Sequence, residues 1–579
     1  MKLKKAYSAV LLLLSTAALA QQHPKLSPEL QGEPKQAMAD VIVQFRSRPE
    51  NGSDGMQARI AAHGGRMQHD FSFMHAMHAT LPAARLAELE ADQEVAYISP
   101  NRRTIPLLNN TAGAVNAAYA RTLGLDGTGV GVAVIDSGVR LFNDLNNASQ
   151  TGSRVVAQLD IAGGGRDDAF GHGIHVAGII AGNAAQSSCA TCTIQYRGIA
   201  PNANIISLRV LDKTGTGTDA NVITAINQAI AWKSKYNIRV INLSLGRPVY
   251  ESYTQDPLCQ AVEAAWKAGI VVVVAAGNDG RNDSFHTSGY GTITAPGNDP
   301  YVITVGAMNA KGTPTRADDV MTTYSSKGPT AIDHIAKPDL MAPGNQVTSM
   351  LASGSQTLAT DFPGDRPLLS VYESGAGSSS KSQDYFVLSG TSMAAPVVSA
   401  AAALLIQQNP AITPDQVKAR LMRTAYKNLP ASVTIVTGGQ TFVEQADVFT
   451  VGAGYLDIQA ALSDTSLAKL SAMSPVAVYN SSTHSVSLES TSTAVWGSNA
   501  LWGTTSVWGA NAFTSQSVPK GSNALWGSNA LWGSNALWGT STDSGFNALW
   551  GSNALWGTST TDGDATTETA LNILGGGDE

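Results

Sequence analysis

Five nearly continuous apolar runs, separated by longer stretches with helical spacing, constrain the fold of this chain most strongly. Their Val and Ile residues fill odd and even positions alike, which indicates strands buried on both faces, as in a parallel sheet covered by helices. The runs are Gly129–Asp136, Asn204–Leu211, Ile238–Leu245, Gly269–Asn278 and Tyr301–Met308. The helical stretches are Gly173–Ala185, Asp219–Tyr236, Pro257–Ala268 and Thr391–Gln408. The sequence therefore predicts an α/β domain with a parallel sheet, helices on both faces, and a site at the carboxyl ends of the strands.

The first twenty residues have the pattern of a secretory signal peptide. Lys2, Lys4 and Lys5 precede an apolar run that ends in Ala18-Leu19-Ala20, a small-residue cleavage pattern. The run is shorter than the roughly 20 residues that a membrane-spanning helix needs. We expect residues 1–20 to be removed, and the mature chain to be secreted (extracellular, periplasmic or in the cell envelope) without a transmembrane segment.

A small unit with β-α-β-β-α-β order follows at residues 39–105. Its strand and helix patterns are Ala39–Phe45, Gly55–Gly65, His69–Leu81, Leu81–Asp92 and Glu94–Asn101. A unit of this kind, between a signal peptide and a larger α/β domain, suggests that residues 21–108 are a propeptide.

The composition changes after about residue 465, where Ser, Thr and Asn dominate. We interpret residues 465–495 as a linker and residues 496–579 as a Trp/Asn/Gly-rich repeat tail based on the hexapeptide SNALWG. Eight tryptophans from Trp496 to Trp556 share one six-residue frame. An even period keeps them on one face of an extended chain. A short β-solenoid, beads that stack on a partner such as an envelope component, and a purely structural segment all remain open.

Composition and cysteine content exclude some classes of function. The net charge of −7 and the 14% of charged residues give no concentrated basic patch, so we expect no nucleic-acid partner. Cys189 and Cys192 lack two further nearby ligands for zinc, so a small loop disulfide is the preferred interpretation. Cys259 is then expected to be free and buried.

Four polar residues stand at strand ends or helix starts of the predicted sheet: Asp136, His172, Asn278 and Ser392. Each one alone has a structural explanation, for example a serine that caps a helix by binding a free backbone N–H. Together, in the order Asp…His…Ser, they predict a nucleophilic serine with a base and a group that orients the base.

The segments that carry these residues resemble the signature segments of the subtilisin-like serine proteases. These are VAVIDSGV, GHGIHVAG, AAGN and SGTSMAAP, while INLSLG and GTGT resemble the family's substrate-binding strands. The resemblance implies a catalytic domain at residues 109–464, and the 39–105 unit is similar to the family's inhibitory propeptide. Ile174 departs from the family, which usually has Thr there. The family's calcium loop is not recognisable, because Gln186–Gln195 carry the cysteine pair instead. Structural calcium is possible, but the sequence does not identify a site for it.

The resemblance implies a role for each site residue. Ser392 would attack a peptide carbonyl, His172 would act as the base, Asp136 would orient His172, and Asn278 with the Ser392 backbone N–H would bind the oxyanion. No cofactor is required for this chemistry. The expected partners are protein or peptide substrates and the chain's own propeptide, cleaved around Asn101–Asn110. The expected substrate-binding residues are Gly215, Thr216, Gly217, Ser244, Leu245, Gly246, Ala275, Ala276 and Gly277.

Two other functions fit the sequence less well. An esterase of the α/β-hydrolase type fits poorly, because Ser392 lacks the second glycine of G-x-S-x-G and the triad order differs. An exported adhesin on an inactive protease-like scaffold is disfavoured because all four polar residues of the site are present.

Overall fold

A computed structural model describes most of the chain from residue 38 to residue 489 and a short segment near its end. The described residues are 25–27, 30, 38–47, 52–71, 74–101, 103–106, 113–282, 287–313, 316, 318–351, 356–376, 379–437, 440–469, 471–480, 485–489 and 577–578. The predicted signal peptide and the tryptophan repeats lie outside the described residues, and the predictions made for them stay predictions.

The described strands and helices alternate along the larger domain. In chain order the strands are β1 (Met38–Phe45), β2 (Arg66–Phe71), β3 (Ala76–Pro82), β4 (Val95–Pro100), β5 (Arg103–Pro106), β6 (Gly131–Asp136), β7 (Val155–Asp160), β8 (Asn204–Arg209), β9 (Gly217–Thr218), β10 (Ile238–Leu243), β11 (Leu245–Gly246), β12 (Val271–Ala275), β13 (Ile303–Asn309), β14 (Val320–Met321), β15 (Leu340–Pro343), β16 (Val347–Met350), β17 (Tyr385–Leu388), β18 (Ser432–Thr437), β19 (Gln440–Gln445), β20 (Val476–Asn480) and β21 (Ser485–Glu489). The α-helices are α1 (Gly52–Ala62), α2 (Leu86–Glu90), α3 (Ala118–Thr122), α4 (His172–Ala181), α5 (Asp219–Tyr236), α6 (Pro257–Lys267), α7 (Thr357–Asp361), α8 (Leu369–Tyr372), α9 (Thr391–Gln408), α10 (Pro414–Thr424), α11 (Val448–Val451) and α12 (Ile458–Ser463).

A mainly parallel eight-stranded sheet forms the centre of the larger domain. Its strands are ordered β14-β13-β12-β10-β6-β8-β7, with β15 paired to β13. The pairing of β13 with β14 is antiparallel, and the other pairings given for this sheet are parallel. The five predicted strands form its middle, so the predicted parallel sheet is confirmed. Strand β8 ends two residues early because Val210 and Leu211 turn to donate to the carbonyl of Asp136.

Two pairs of helices cover this sheet. Helix α9 packs against β10, β12 and β13 and against α4, whereas α5 packs against α6 and β10. The Ala-rich sequence of α9 allows the helix to lie close to the sheet, and its residues from Thr391 to Ile406 are all buried. Within the described residues, α9 has the length and mean hydropathy of a membrane span, but 89% of it is buried inside the domain.

The N-terminal unit has the predicted β-α-β-β-α-β order and a separate apolar core. Its antiparallel sheet is ordered β2-β3-β1-β4, and α1 covers it through Met56 and Ile60. Hydrogen bonds join the unit to the larger domain. Gln44 Nε2 donates to the carbonyl of Gln255 at 2.6 Å, and the backbone N–H of Ala220 donates to Asn101 Oδ1 at 2.7 Å. Asn101 thereby binds a free N–H in the first turn of α5.

The first part of the predicted linker at residues 465–495 is packed on the larger domain. Ser474 Oγ donates to Asp339 Oδ1 at 2.5 Å, and Ala336 N donates to the carbonyl of Pro475. Asp339 also binds Lys337 and Lys418, so the serine hydroxyl completes a buried charged cluster. Ser-rich composition is typical of linkers, but here a hydroxyl is needed as a partner for a buried carboxylate.

Candidate active site

The predicted site positions meet at the carboxyl ends of three neighbouring strands. Ile135 of β6 pairs with Leu243 of β10, which pairs with Val274 of β12. Asp136 and Ser244 come one residue later on their strands, at the same edge of the sheet. Asn278 follows β12 by three residues, so the fold brings these predicted positions to one edge.

Asp136 and His172 form a buried hydrogen-bonded pair. The distance between His172 Nδ1 and Asp136 Oδ1 is 2.5 Å, and both side chains are 0% exposed. Because an ionised carboxylate can only accept, the proton of this bond is on Nδ1, which leaves the Nε2 lone pair of a neutral imidazole free. His172 Nε2 is buried and has no hydrogen-bond partner among the described residues. A base with an unoccupied acceptor is what proton abstraction requires.

Asp168 positions the start of the histidine helix, and the sequence analysis missed it. Its carboxylate accepts from Ser137 Oγ at 2.8 Å and from the backbone N–H groups of Gly171 and Ile174 at 2.7 and 2.8 Å. It therefore joins the turn after β6 to the first turn of α4. Burial raises the pKa of Asp168 to about 6, against the opposing effect of these hydrogen bonds. An Asp shortly before Gly-His-Gly is a detectable signal for such a cap.

Ser392 is the second residue of α9, and its hydroxyl does not cap the helix. Ser392 Oγ donates to the carbonyl of Ser244 at 3.1 Å, while Ser244 Oγ donates to the carbonyl of Ser392 at 2.7 Å. The N-cap position belongs to Gly390, without a side-chain cap. The hydroxyl must leave the Ser244 carbonyl before it can bond to a base, and such bonds often form only when substrate is bound.

Asn278 is held by the residue before Ser392. Its Oδ1 accepts from the backbone N–H of Thr391 at 2.9 Å, and Thr391 Oγ1 accepts from the backbone N–H of Gly277 at 3.1 Å. With Oδ1 held in this way, the amide orientation is fixed and Nδ2 is the end available to an incoming oxygen. Thr391 is a second residue whose role the sequence analysis missed.

Two short strands of the predicted substrate-binding set bracket one extended segment. Strand β5 lies between β9 and β11 and pairs with both in the antiparallel sense. Leu245 and Gly246 pair with Pro106 and Ile105, and Gly217 pairs with Thr104. The edges of β9 and β11 can therefore hydrogen-bond an extended peptide. Gly215 and Thr216 lead into β9, and Ser244 immediately precedes β11.

The remaining predicted substrate residues lie beside two side chains that the sequence analysis did not identify. Ala275, Ala276 and Gly277 are buried next to β13 and the segment from Thr294. A Cβ on Gly246 would lie 2.6 Å from Thr294 Oγ1, and one on Gly277 would lie 2.5 Å from Ser326 Oγ. Small residues at these two positions are therefore a steric requirement.

A buried arginine anchors the edge strand β11. Arg247 follows Gly246 directly and binds Asp256 through Nη2 at 2.8 Å and Asp219 through Nε at 3.1 Å. These charged side chains are at most 2% exposed. Removal of one partner would leave a buried charge uncompensated, so the arrangement fixes β11 relative to α5 and α6.

His175 lies one turn after His172 on α4 and is part of the packing, as expected. Its Nε2 lies 3.2 Å from the carbonyl oxygen of Val347 and 3.1 Å from that of Phe386, so Nε2 carries the proton. Burial, with a smaller contribution from His172, lowers the pKa of His175 to about 3.

The cysteines are arranged as the sequence suggested. A disulfide joins Cys189 to Cys192, and Cys259 is free and buried. Across the part of the chain that the structure describes, no group of three or more His, Cys, Asp or Glu side chains could hold a metal ion.

Comparison with known proteins identifies the family. The family model described as "Subtilase family" matches residues 127–454. Serine protease AprX of Bacillus subtilis is 36% identical over 350 residues, which cover 58% of this chain and 71% of that protein. Subtilisin E of Bacillus subtilis is 31% identical over 369 residues, covering 63% of this chain and 79% of that protein.

A solved structure supports the same fold. Fervidolysin from Fervidobacterium pennivorans, described as a keratinolytic enzyme related to subtilisin, aligns with a TM-score of 0.53 at 20% identity. The alignment covers 77% of this chain and 64% of fervidolysin. Because the identity is only 20%, the likeness shows the fold alone. The family match spans more than half of the chain and includes the sheet edge with its buried Asp–His pair. This chain belongs to the subtilase family and is a serine endopeptidase.

Proposed function

We propose that this protein is a secreted endopeptidase that cleaves peptide bonds through Asp136, His172 and Ser392, and that it is made as a self-processed zymogen. The observation that carries the proposal is the buried Asp136–His172 pair at a sheet edge that Ser244 and Ser392 share. A serine hydroxyl is a poor nucleophile at neutral pH, and an adjacent imidazole base removes that obstacle.

The reaction proceeds in two halves. Ser392 Oγ bonds to the substrate carbonyl carbon while its proton passes to His172 Nε2, and the carbonyl oxygen becomes an oxyanion. Collapse of this intermediate breaks the C–N bond, and His172 gives the proton to the departing amine. Water then hydrolyses the acyl-enzyme ester by the same route. Asp136 keeps His172 in the Nδ1–H tautomer and stabilises the transient imidazolium.

Asn278 and the start of α9 stabilise the oxyanion. Asn278 Nδ2 and the Ser392 backbone N–H are the donors, and the positive end of the α9 dipole adds to their effect. The link from Asn278 Oδ1 to Thr391 N sets the separation of the two donors before substrate arrives.

We expect Asn278→Ala to lower kcat with little change in KM, because this donor acts mainly in the transition state. Loss of the corresponding donor in subtilisin costs about 10²–10³-fold in kcat, and we expect a similar loss here. Asn278→Asp is the matched variant, since it retains an oxygen for Thr391 but has no N–H. Steady-state kinetics on a peptide substrate that show nearly full activity for Asn278→Asp would remove Asn278 from the oxyanion site.

The contacts of β5 support the zymogen proposal. Strand β5 follows the N-terminal unit directly and pairs with β9 and β11, between which we propose that a substrate binds. Asn101 and Gln44 attach the same unit to α5 and to the turn before α6. We propose that the unit inhibits the enzyme by filling this cleft, and that processing occurs shortly after Pro106.

The residues expected around the first specificity pocket favour apolar side chains. Leu245, Ala275 and Ala276 would supply apolar walls. None of the nine expected substrate-binding residues is acidic. We therefore propose cleavage after large apolar residues in preference to lysine or arginine.

Casein digestion combined with intact-mass analysis tests the proposed function. Protein purified from the culture medium of an expression host should cleave casein, and its mass should correspond to a chain that starts shortly after Pro106. Folded, processed protein that leaves casein intact would overturn the proposal.

The pKa of His175 predicts how stability depends on pH. An unfolded histidine titrates near 6.5 and the native one near 3, so between these values only the unfolded chain binds this proton. The contribution of His175 to stability is therefore greatest above pH 6.5 and falls as the pH is lowered through this window. His175→Gln keeps a donor for the two carbonyls but cannot titrate.

We expect His175→Gln to flatten the dependence of the melting temperature on pH between 6.5 and 4. The measurement is made with Ser392→Ala present, which prevents self-digestion, and exposed His69→Gln serves as the control. Equal slopes for the two variants would show that His175 does not contribute to acid destabilisation.

A further inference from the structure

The segment Gly577–Asp578 is bound inside the catalytic domain, although it follows the tryptophan repeats in the chain. The Asp578 side chain is 0% exposed. Its partners come from Arg281, Thr323 and Asn345, three residues that are close in space and distant in sequence. Neither the catalytic mechanism nor the proposed zymogen uses this group of residues.

The Asp578 carboxylate has a full set of donors. Oδ1 accepts from Arg281 Nη2 and from Thr323 Oγ1, each at 2.6 Å, and Oδ2 accepts from the backbone N–H of Thr323 at 2.8 Å. Arg281 Nε also donates to Thr323 Oγ1 at 2.7 Å, so the two side chains orient each other. Charge-assisted hydrogen bonds of this kind are roughly twice as strong as neutral ones.

The site also forms hydrogen bonds with the main chain of the tail. Asn345 Nδ2 donates to the carbonyl of Asp578 at 2.7 Å, and the backbone N–H of Asp578 donates to Asn345 Oδ1 at 2.8 Å. Gly577 has φ of +64°, and a Cβ there would lie 2.3 Å from Ser389 Oγ. The site therefore fits a glycine in the left-handed conformation followed by an aspartate.

The bound segment lies between two parts of the chain that carry active-site groups. Arg281 follows Asn278 by three residues, and Ser389 precedes Ser392 by three residues. Tyr324 OH donates to the carbonyl of Gly344 at 2.7 Å, which links the residue after Thr323 to the residue before Asn345. Asp578 adds an ion pair with Arg281, in which the carboxylate is fully buried.

We propose that Arg281, Thr323 and Asn345 form a receptor for the chain's own Gly577–Asp578 segment, bound within the same molecule. The ligand is an acidic peptide segment with glycine before the aspartate. The repeat region is then attached to the catalytic domain at both of its ends and forms a closed loop of chain. A cut within the repeats would leave the distal fragment held by this site.

The first test compares two charge-removing variants at adjacent positions, Asp578→Asn and Glu579→Gln. Both are made in the full chain with Ser392→Ala, so that self-digestion does not affect the result. Asp578→Asn leaves the half-buried Arg281 without its anion, and we expect it to lower the melting temperature by about 3–6 °C. Glu579→Gln should change it by less than about 1 °C. Equal melting temperatures for the two variants would overturn the proposal.

The second test measures binding directly and also covers the case in which a tail variant fails to fold. A chain lacking residues 577–579 and carrying Ser392→Ala is titrated with a fluorescent peptide of sequence NILGGGDE, amidated at its carboxyl end. We expect saturable binding, and at least tenfold weaker binding when Asn replaces the Asp. Absence of binding to the folded truncated chain would contradict the proposal.

Light scattering of the full Ser392→Ala chain decides between binding within one molecule and exchange between molecules. A monomer is expected for the full chain and for Asp578→Asn alike. A dimer that Asp578→Asn dissociates would overturn binding within one molecule. None of these measurements depends on catalytic activity, so their failure is distinguishable from failure to cleave casein.

Discussion

Ser392→Ala is expected to eliminate casein hydrolysis and to leave the N-terminal unit attached to the chain. Without Oγ no acyl-enzyme forms, and the remaining groups can only bind substrate. In subtilisin, loss of the corresponding serine lowers kcat by about 10⁶-fold, and we expect the same order here. Peptide hydrolysis measured beside intact mass reports both effects on the same sample.

Ser399→Ala is the matched control for this variant, because Ser399 is a buried serine on the same helix. Its hydroxyl donates to Asn242 Oδ1 at 2.8 Å, and both Asn242 and Ser244 stand between it and Ser392 in the chain of hydrogen bonds. We expect Ser399→Ala to lower the melting temperature but to retain processing and most of kcat. If the two variants lost activity equally, damage to α9 would explain both and Ser392 would have no special role.

Asp136→Asn is expected to lower kcat by about 10⁴-fold, with KM nearly unchanged. An amide in place of the carboxylate can donate to His172 Nδ1, which moves the imidazole proton to Nε2, where a lone pair is needed. The 2.5 Å contact and the complete burial of both side chains make Asp136 the carboxylate that holds His172. Steady-state kinetics over a range of pH measure the loss.

Asp464→Asn is the control for charge removal. Asp464 pairs with Arg423 at the far end of α12 and has no contact with the site. We expect its kcat to lie within a factor of two of the parent value. Nearly full activity for Asp136→Asn would show that His172 does not depend on this carboxylate.

The sequence predicted those parts of the fold that have a local pattern. The Val and Ile runs of β6, β10 and β12 are recognisable because strands buried on both faces are nearly continuous hydrophobic runs. The predicted site residues stand at the ends of these runs, and the short signature segments identify them. The family match argues against the esterase alternative.

The parts that were missed depend on partners distant in sequence. In the sequence Ser474 is one serine among many in a polar segment. In the structure its hydroxyl donates to Asp339, which is 135 positions away. In the sequence Asp578 is one carboxylate that follows a repetitive tail. In the structure Arg281 and Thr323 both donate to it. Polar contacts of this kind leave no periodicity in the sequence, so neither pattern nor composition predicts them.

Mass-spectrometric mapping of a fluorophosphonate adduct tests the central claim most directly. The processed wild-type protein is labelled, digested with a second protease and compared with the His172→Ala variant. The account predicts one adduct, on the peptide that contains Ser392, and little or no adduct in His172→Ala. An active protein that is labelled at another serine, or is not labelled at all, would contradict it.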